Sequence, residues 1–241
     1  MPLSQPFADR ADAGRRLAER LAERLSEWRR LDPAGDHPQV VVLALPRGGV
    51  PVAAPVAAAL HAPLDLLAVR KVGVPGRLEL AMGAVASGGI RVRHARAVGR
   101  SGLDSDEVEA AFRRAEAELA ERERRWRGER PPPDLTGRTV VLVDDGLATG
   151  SSMHAAVEAV RARRPAAVVV AVPVAPAATL GELRRVADDV VCLRVPSRFV
   201  AVSPHYVDFA QVGDEEVRCL LHPPMDGDDA ESRSGPDGAP G

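Results

Sequence analysis

TVVLVDDGLATGSS, residues 139–152, joins an apolar run to a helix through two carboxylates, a glycine and a Thr-Gly-Ser-Ser turn. Val140 to Val143 form a continuous apolar segment, as in a strand buried on both faces of a parallel sheet. From Met153 the apolar positions Met153, Val157 and Val160 recur at helical spacing, so the unit reads strand, loop, helix. Loops at the carboxyl ends of such strands are where open α/β sheets bind ligands. A helix beginning at Thr149 to Ser152 offers unpaired N–H groups and partial positive charge to a phosphate. Gly150 lets the backbone approach closely, and the hydroxyls of Thr149, Ser151 and Ser152 add donors. Asp144 and Asp145 repel that phosphate and are better matched to neutral hydroxyls or to a hydrated Mg2+ ion. A phosphate at one end and a diol at the other describe a ribose 5-phosphate. The plainer alternative is an ordinary strand-to-helix turn with the acids as caps.

The chain around this stretch has 241 residues, enough for one α/β domain with a full core or for a domain with a small appendage. Its 45% hydrophobic and 27% charged content is that of a soluble globular protein. A net charge of −2 provides no global basic field for nucleic acid or membrane. Cys192 and Cys219 make no disulfide framework, and no apolar stretch is long enough to span a bilayer. With no signal sequence recognised, a cytoplasmic location is expected. Lys71 is the sole lysine, so 31 of the 32 basic residues are arginine. A compact ammonium stands at one position where a planar fork does not replace it.

Outward from the central stretch, the pattern alternates strand and helix. Val40 to Leu45 reads as a buried strand ending in Pro46-Arg47-Gly48-Gly49, followed by an alanine-rich helix to Leu60 with Pro51 in its first turn. Paired glycines with one arginine suit an anion-holding loop, or simply a tight turn. Leu64 to Val69 reads as a third strand, placing Arg70 and Lys71 at the same edge, either as polyphosphate contacts or as a solvated surface pair. Val72 to Leu80, with Gly73, Pro75 and Gly76, suits a mobile loop. Leu80–Ala86 and Ile90–Val92 flank a hairpin turn at Ser87-Gly88-Gly89. Further strands are expected at 166–172 and 189–195, with a helix around 177–186. The whole implies an α/β fold, a mostly parallel twisted sheet flanked by helices.

Two long helices frame this core. Asp9 to Leu31 carries one stripe of Leu17, Leu21, Leu25, Trp28 and Leu31, for packing on the sheet or on a partner. Asp104 to Trp126 opens on a capping box of Asp104 and Glu107, with Val108, Phe112, Ala115, Leu119 and Trp126 on one face. Its mixed-sign exposed face argues for solvation rather than a nucleic-acid arm. Near the end, Phe199, Tyr206 and Phe209 gather three of the seven aromatics beside His205 and Asp208. Such rings stack on a planar ligand, or form a small satellite core under a loop. Asp214 to Leu221 reads as a short closing helix capped by Asp214. Residues 1–222 thus read as a single domain, with N-terminal helix 9–31, core 39–195 and hood 196–221. The acidic, Gly/Pro-rich tail 223–241 is expected to be disordered.

Residues 140–152 resemble the ligand signature of the type I phosphoribosyltransferases: four hydrophobic residues, two acids, then a Thr-Gly phosphate loop. Gly146 departs from that pattern, where a larger aliphatic residue is usual. The resemblance implies Mg2+-dependent transfer of 5-phosphoribose from phosphoribosyl pyrophosphate to a nitrogenous base. It also implies a flexible loop, a hood over the base and a homodimer. The 5-phosphate would rest on Ala148, Thr149, Gly150, Ser151 and Ser152, and the diol with its Mg2+ on Asp144 and Asp145. Arg47, Gly48 and Gly49 look like the family's pyrophosphate loop, and the Arg-Gly-Gly form is similar to that of bacterial guanine and xanthine enzymes. Arg70 and Lys71 resemble the start of the catalytic loop in adenine and orotate enzymes. Glu79 could stabilise the sugar cation or take a proton, or be an exposed loop carboxylate, and Phe199 and Tyr206 could cover the base. Ala148 stands where hypoxanthine-guanine enzymes usually carry an aspartate, whereas adenine and uracil enzymes have alanine there. Two other classes stay open: a non-catalytic regulatory module that binds phosphoribosyl pyrophosphate or a nucleotide, and a phosphatase- or kinase-like enzyme. The second lacks the Gly-Lys-Ser/Thr element.

Overall fold

Strands with apolar residues on both faces must be covered on both sides, and helices do so here. A computed structural model describes residues 5–31, 39–74 and 77–222, with backbone alone at 28–31 and 77–80. Its centre is a five-stranded parallel sheet in the order β2-β1-β6-β7-β8. The strands are β1 (Val40–Ala44), β2 (Leu64–Leu66), β6 (Thr139–Val143), β7 (Ala167–Val174) and β8 (Asp189–Arg194). Successive side chains point to opposite faces. Val42, Ala44, Val141, Val143, Val169 and Ala171 therefore face one layer of helices, α1 (Arg10–Leu31), α2 (Gly49–Leu60), α4 (Ser105–Arg127) and α7 (Asp214–Leu221). Val41, Leu43, Val140, Leu142, Val168 and Val170 face the other, α5 (Ser151–Arg161) and α6 (Ala177–Leu183).

The first helix packs on α2 and on the sheet. Gly14 permits that crossing, since a Cβ there would lie 2.4 Å from the Val52 carbonyl oxygen. In α4 the capping box is formed, with the Glu107 amide donating to Asp104 Oδ1 at 2.8 Å and the Asp104 amide to Glu107 Oε2 at 2.9 Å. Val108, Phe112, Ala115, Leu119 and Trp126 are its buried face. The closing helix begins at Asp214 as expected, but Gly213 is its cap and Asp214 bonds elsewhere.

The third strand is shorter than the expected span of Leu64 to Val69. β2 stops at Leu66, Leu67 donates to the Ala44 carbonyl, and buried Ser87 receives the Ala68 amide at 2.8 Å on its hydroxyl. The chain crosses there into a second, antiparallel sheet of β3 (Val69–Val74), β4 (Arg77–Ala86) and β5 (Ile90–Arg93). The hairpin turn falls at Ser87 to Gly89, with positive φ at Gly88 and Gly89. The expected mobile loop is largely strand, and only 75–76 at its tip lie outside the described residues. A short helix, α3 (Ala95–Ser101), follows; it buries no residue and so leaves no apolar period in the sequence. The expected tail at 223–241 lies outside the described residues, as does the link 32–38.

Candidate active site

The strand order reverses between β1 and β6, since β1 leads to β2 on one side and β6 to β7 and β8 on the other. A crevice outside the carboxyl ends of strands is expected at such a switch point. The two loops that border it are Pro46–Gly48 and Asp144–Gly150. They touch: the Leu45 amide donates to the Val143 carbonyl at 2.8 Å. A Cβ on Gly48 would fall 2.0 Å from Asp145 Oδ2, and one on Gly49 would fall 2.6 Å from the Val143 carbonyl oxygen. The paired glycines are therefore required by close approach to the acids.

Asp144 and Asp145 are partly covered. The Asp145 amide donates to Asp144 Oδ1 at 2.9 Å. Burial, reinforced by the neighbouring Asp145 charge, holds the Asp144 carboxyl well above the usual range. Burial also raises Asp145, against the opposing pull of Arg10. That arginine comes from the first turn of α1. Its Nε donates to Asp145 Oδ2 at 2.8 Å and its Nη1 to the Ala210 carbonyl at 2.8 Å. Its guanidinium carbon lies 3.8 Å from the centroid of the Phe209 ring. Local capping fixes where α1 begins, because Asp9 Oδ1 accepts from the Asp12 amide and Asp12 Oδ2 from the Ala8 amide. Nothing in the residues around Arg10 signals this role, as its partner is 135 positions away.

At the other end of the loop, Gly150 stands in the left-handed region (φ 68°), where a Cβ would meet Thr179 Cγ2 at 2.5 Å. The Thr179 hydroxyl donates to the Ala148 carbonyl at 2.7 Å and braces the turn. α5 then starts at Ser151 with no side-chain cap. Ala148, Thr149 and Ser152 are exposed, and the hydroxyls of Thr149 and Ser151 lie 3.0 Å apart. An uncapped helix mouth rimmed by hydroxyls is a fitting seat for a phosphate.

Lys71 and Arg70 separate. Both lie within β3, where neighbours alternate faces. Lys71 Nζ reaches across to the Ser151 hydroxyl at the phosphate loop, whereas Arg70 turns to Glu118 on α4. The expectation that both reach one edge fails because strand β3, not a loop, carries them. Arg47 sits beside its glycines and pairs with Asp214 at 3.5 Å, and Asp214 also accepts from Trp126 Nε1 at 2.9 Å. The Glu79 side chain lies outside the described side chains. A cavity of about 380 Å³ runs from Lys71, Thr149 and Ser151 along α5 past His154, under the second sheet.

The hood packs Tyr206 and Phe209 together and sets Phe199 apart from them. Tyr206 is buried in a small cluster with Phe7 and Ala13, tilted against Phe7 and Phe209 at 5.3 and 4.9 Å. Its hydroxyl donates to the Asp145 carbonyl at 2.5 Å. Expected over a base, Tyr206 instead props the acid loop from below, and the satellite-core alternative describes it. Its surroundings come from the N-terminus, where Phe7 bridges to Tyr206 and exchanges backbone bonds with His205 and Val207. Phe199 is half-buried and stacks on His205 at 6.0 Å. Val202 explains Gly146: its Cγ1 lies 2.6 Å from where a Cβ would stand, so a hood side chain fills the space an aliphatic residue would take.

The acids suit a magnesium ion that arrives with its ligand. Mg2+ binds through one or two carboxylates plus phosphate oxygens and water. Among the described residues no group of three or more His, Cys, Asp or Glu is placed to hold a metal ion. No helix among the described residues is long and apolar enough to cross a membrane.

Residues 14–209 match the model of the family described as phosphoribosyl transferase domain. The chain is 45% identical over 215 residues to proteins of Mycobacterium tuberculosis strains CDC 1551 and H37Rv, both provisionally named phosphoribosyl transferases. That match covers 89% of this chain and 46% of each relative, so the chain spans a little under half their length. Among solved structures, TT1426 from Thermus thermophilus is 44% identical with a TM-score of 0.76, over 90% of this chain and 98% of that one.

Proposed function

Because the chain belongs to the phosphoribosyl transferase family, we propose that it transfers 5-phosphoribose from phosphoribosyl pyrophosphate to a nitrogenous base, releasing pyrophosphate. The observation that carries this reading is the apposition at the switch point. One strand end presents two acids, then an uncapped helix mouth, and faces a loop whose glycines are packed against those acids.

In this reading the 5-phosphate rests on Ala148 to Ser152, where helix N–H groups and hydroxyls neutralise it. The ribose hydroxyls donate to the acids, chiefly Asp144, and the pyrophosphate lies toward Arg47, Gly48 and Gly49. Lys71, at the Ser151 hydroxyl, serves the phosphate end rather than a joint site with Arg70. Mg2+, shared between the acids and the substrate, would offset charge on the departing pyrophosphate. The C1–O bond breaks with its electron pair going to pyrophosphate, the base nitrogen forms the new C1–N bond, and the nitrogen's proton is lost to solvent or base. The chain's own contribution is positioning and charge placement. Phe199 and Phe209 are both half-buried on the hood, but Arg10 lies over the Phe209 ring, so Phe199 is the one assigned to the base.

Pyrophosphate release over a panel of purine and pyrimidine bases tests the reading. Release with at least one base is expected, and Mg2+-dependent binding without release for every base would instead favour a regulatory module. A homodimer and a cytoplasmic site of action belong to the same proposal, and light scattering tests the first.

A further inference from the structure

Two adjacent carboxylates at one strand end repel each other unless a cation lies between or beside them. Here a cation is supplied by the fold. Arg10 is held by three separate contacts, to Asp145 Oδ2, to the Ala210 carbonyl and over the Phe209 ring. Its side chain is 12% exposed and that of Asp145 15%, so the pair is largely withdrawn from water. The same carboxylate oxygen is the atom against which Gly48 is packed. The Tyr206 hydroxyl fixes the backbone of the same residue from the hood side. Asp145 is thus enclosed by α1, the hood and the glycine loop, whereas Asp144 has no ion-pair partner among the described residues.

We propose that Arg10 is a resident cation of the acid pair: it takes, at Asp145, the place a divalent ion would otherwise occupy, so that Mg2+ is engaged through Asp144 only when a phosphorylated ligand brings it. The inference rests on the proposed substrate and makes Arg10 a positioning residue that sets the metal demand of the site. With its charge in place, the Asp145 carboxylate is compensated from within the protein. A polyanionic ligand then meets less repulsion before any metal arrives. Arg10 precedes the span that matches the family model, so this device is read from the contacts of this chain alone.

The test uses Mn2+, a hard oxygen-seeking ion observable by paramagnetic resonance, on the full chain without phosphoribosyl pyrophosphate. Arg10→Gln is expected to bind one Mn2+ roughly tenfold or more tighter than the wild type, because a buried carboxylate is left without its partner. Arg10→Lys, which keeps the charge, and the double variant Arg10→Gln/Asp145→Asn, which removes the acid, should stay at the wild-type level. Arg10→Met keeps the aliphatic packing on Phe209 and carries the same expectation as Arg10→Gln if the latter folds poorly. A second measurement follows phosphoribosyl pyrophosphate binding against Mg2+ concentration, where Arg10→Gln should require about tenfold more Mg2+ for half-saturation. Equal Mn2+ affinity in wild type, Arg10→Gln and Arg10→Met would overturn the proposal. A wild type that fails to bind phosphoribosyl pyrophosphate at any Mg2+ concentration would remove the proposed substrate, while the Mn2+ comparison would still decide the role of Arg10.

Discussion

Two arginine–aspartate pairs lie on opposite sides of the sheet's switch point, with nearly the same geometry. Arg127 Nε meets Asp65 Oδ1 at 2.9 Å, and Arg10 Nε meets Asp145 Oδ2 at 2.8 Å. Their surroundings differ. Arg127 also bonds Glu123 at 3.0 Å and the Leu66 carbonyl at 2.7 Å, and the second partner of Asp65 is the Leu66 amide. The contacts of Arg127 to Asp65 and to the Leu66 carbonyl tie α4 to β2, Glu123 lies on α4 itself, and every one of these groups ends in the protein. Asp145 instead abuts a second acid, a glycine loop and an open helix mouth. A saturated pair fixes the fold, and an unsaturated one beside a crevice sets a charge for something that enters.

Breaking each pair should therefore give different losses. Arg127→Ala leaves buried Asp65 without its cation, with only the Leu66 amide as partner, removes the side-chain donor of the Leu66 carbonyl, and should cost about 3–5 kcal/mol in urea unfolding. The affinity of the folded variant for phosphoribosyl pyrophosphate should not change. Asp145→Asn should cost about 2–3 kcal/mol of stability by stranding Arg10. Asp144→Asn should leave the melting temperature unchanged or raise it, because a desolvated carboxyl beside a like charge is removed. A stability loss in Asp144→Asn equal to that in Asp145→Asn would erase the distinction between the two acids.

The glycine loop sharpens the same contrast. Gly49→Ala forces a methyl group against the backbone carbonyl of Val143 and should lower stability by about 1–3 kcal/mol. At Gly48 the clash falls on the Asp145 carboxylate itself, so Gly48→Ala should weaken ligand binding more than it lowers the melting temperature. The smallest expected stability change is in Lys71→Ala, within about 0.5 kcal/mol, since Lys71 is exposed. Its effect should appear as a loss of about tenfold in turnover or substrate affinity, from one missing charge-assisted contact.

The phosphate end of the site is legible in fourteen consecutive residues because everything it uses is local. Strand, acids, turn and helix mouth follow one another, and period and composition report each in turn. Arg10, Tyr206 and Val202 leave no comparable signal. Their partners Asp145 and Gly146 lie 135 positions away from the first and about sixty from the others, and apolar or basic residues in loops and first turns have many possible uses. Arg70 departs from its expected place for a physical reason: Leu64 to Val69 is apolar but for Asp65, yet it serves two sheets, and hydrophobicity alone cannot show where the chain crosses between them. The capping box of α4 needs no tertiary information, because both of its bonds join residues three apart.

The central claim is that the acids and the helix mouth bind one sugar phosphate together. Isothermal titration with phosphoribosyl pyrophosphate, with and without Mg2+, on the wild type and on Asp144→Asn/Asp145→Asn tests it directly. The wild type should bind in a Mg2+-dependent manner, and the folded double variant should lose about a hundredfold or more in affinity along with that dependence. Equal affinity in the two proteins, or binding indifferent to Mg2+ in both, would contradict it.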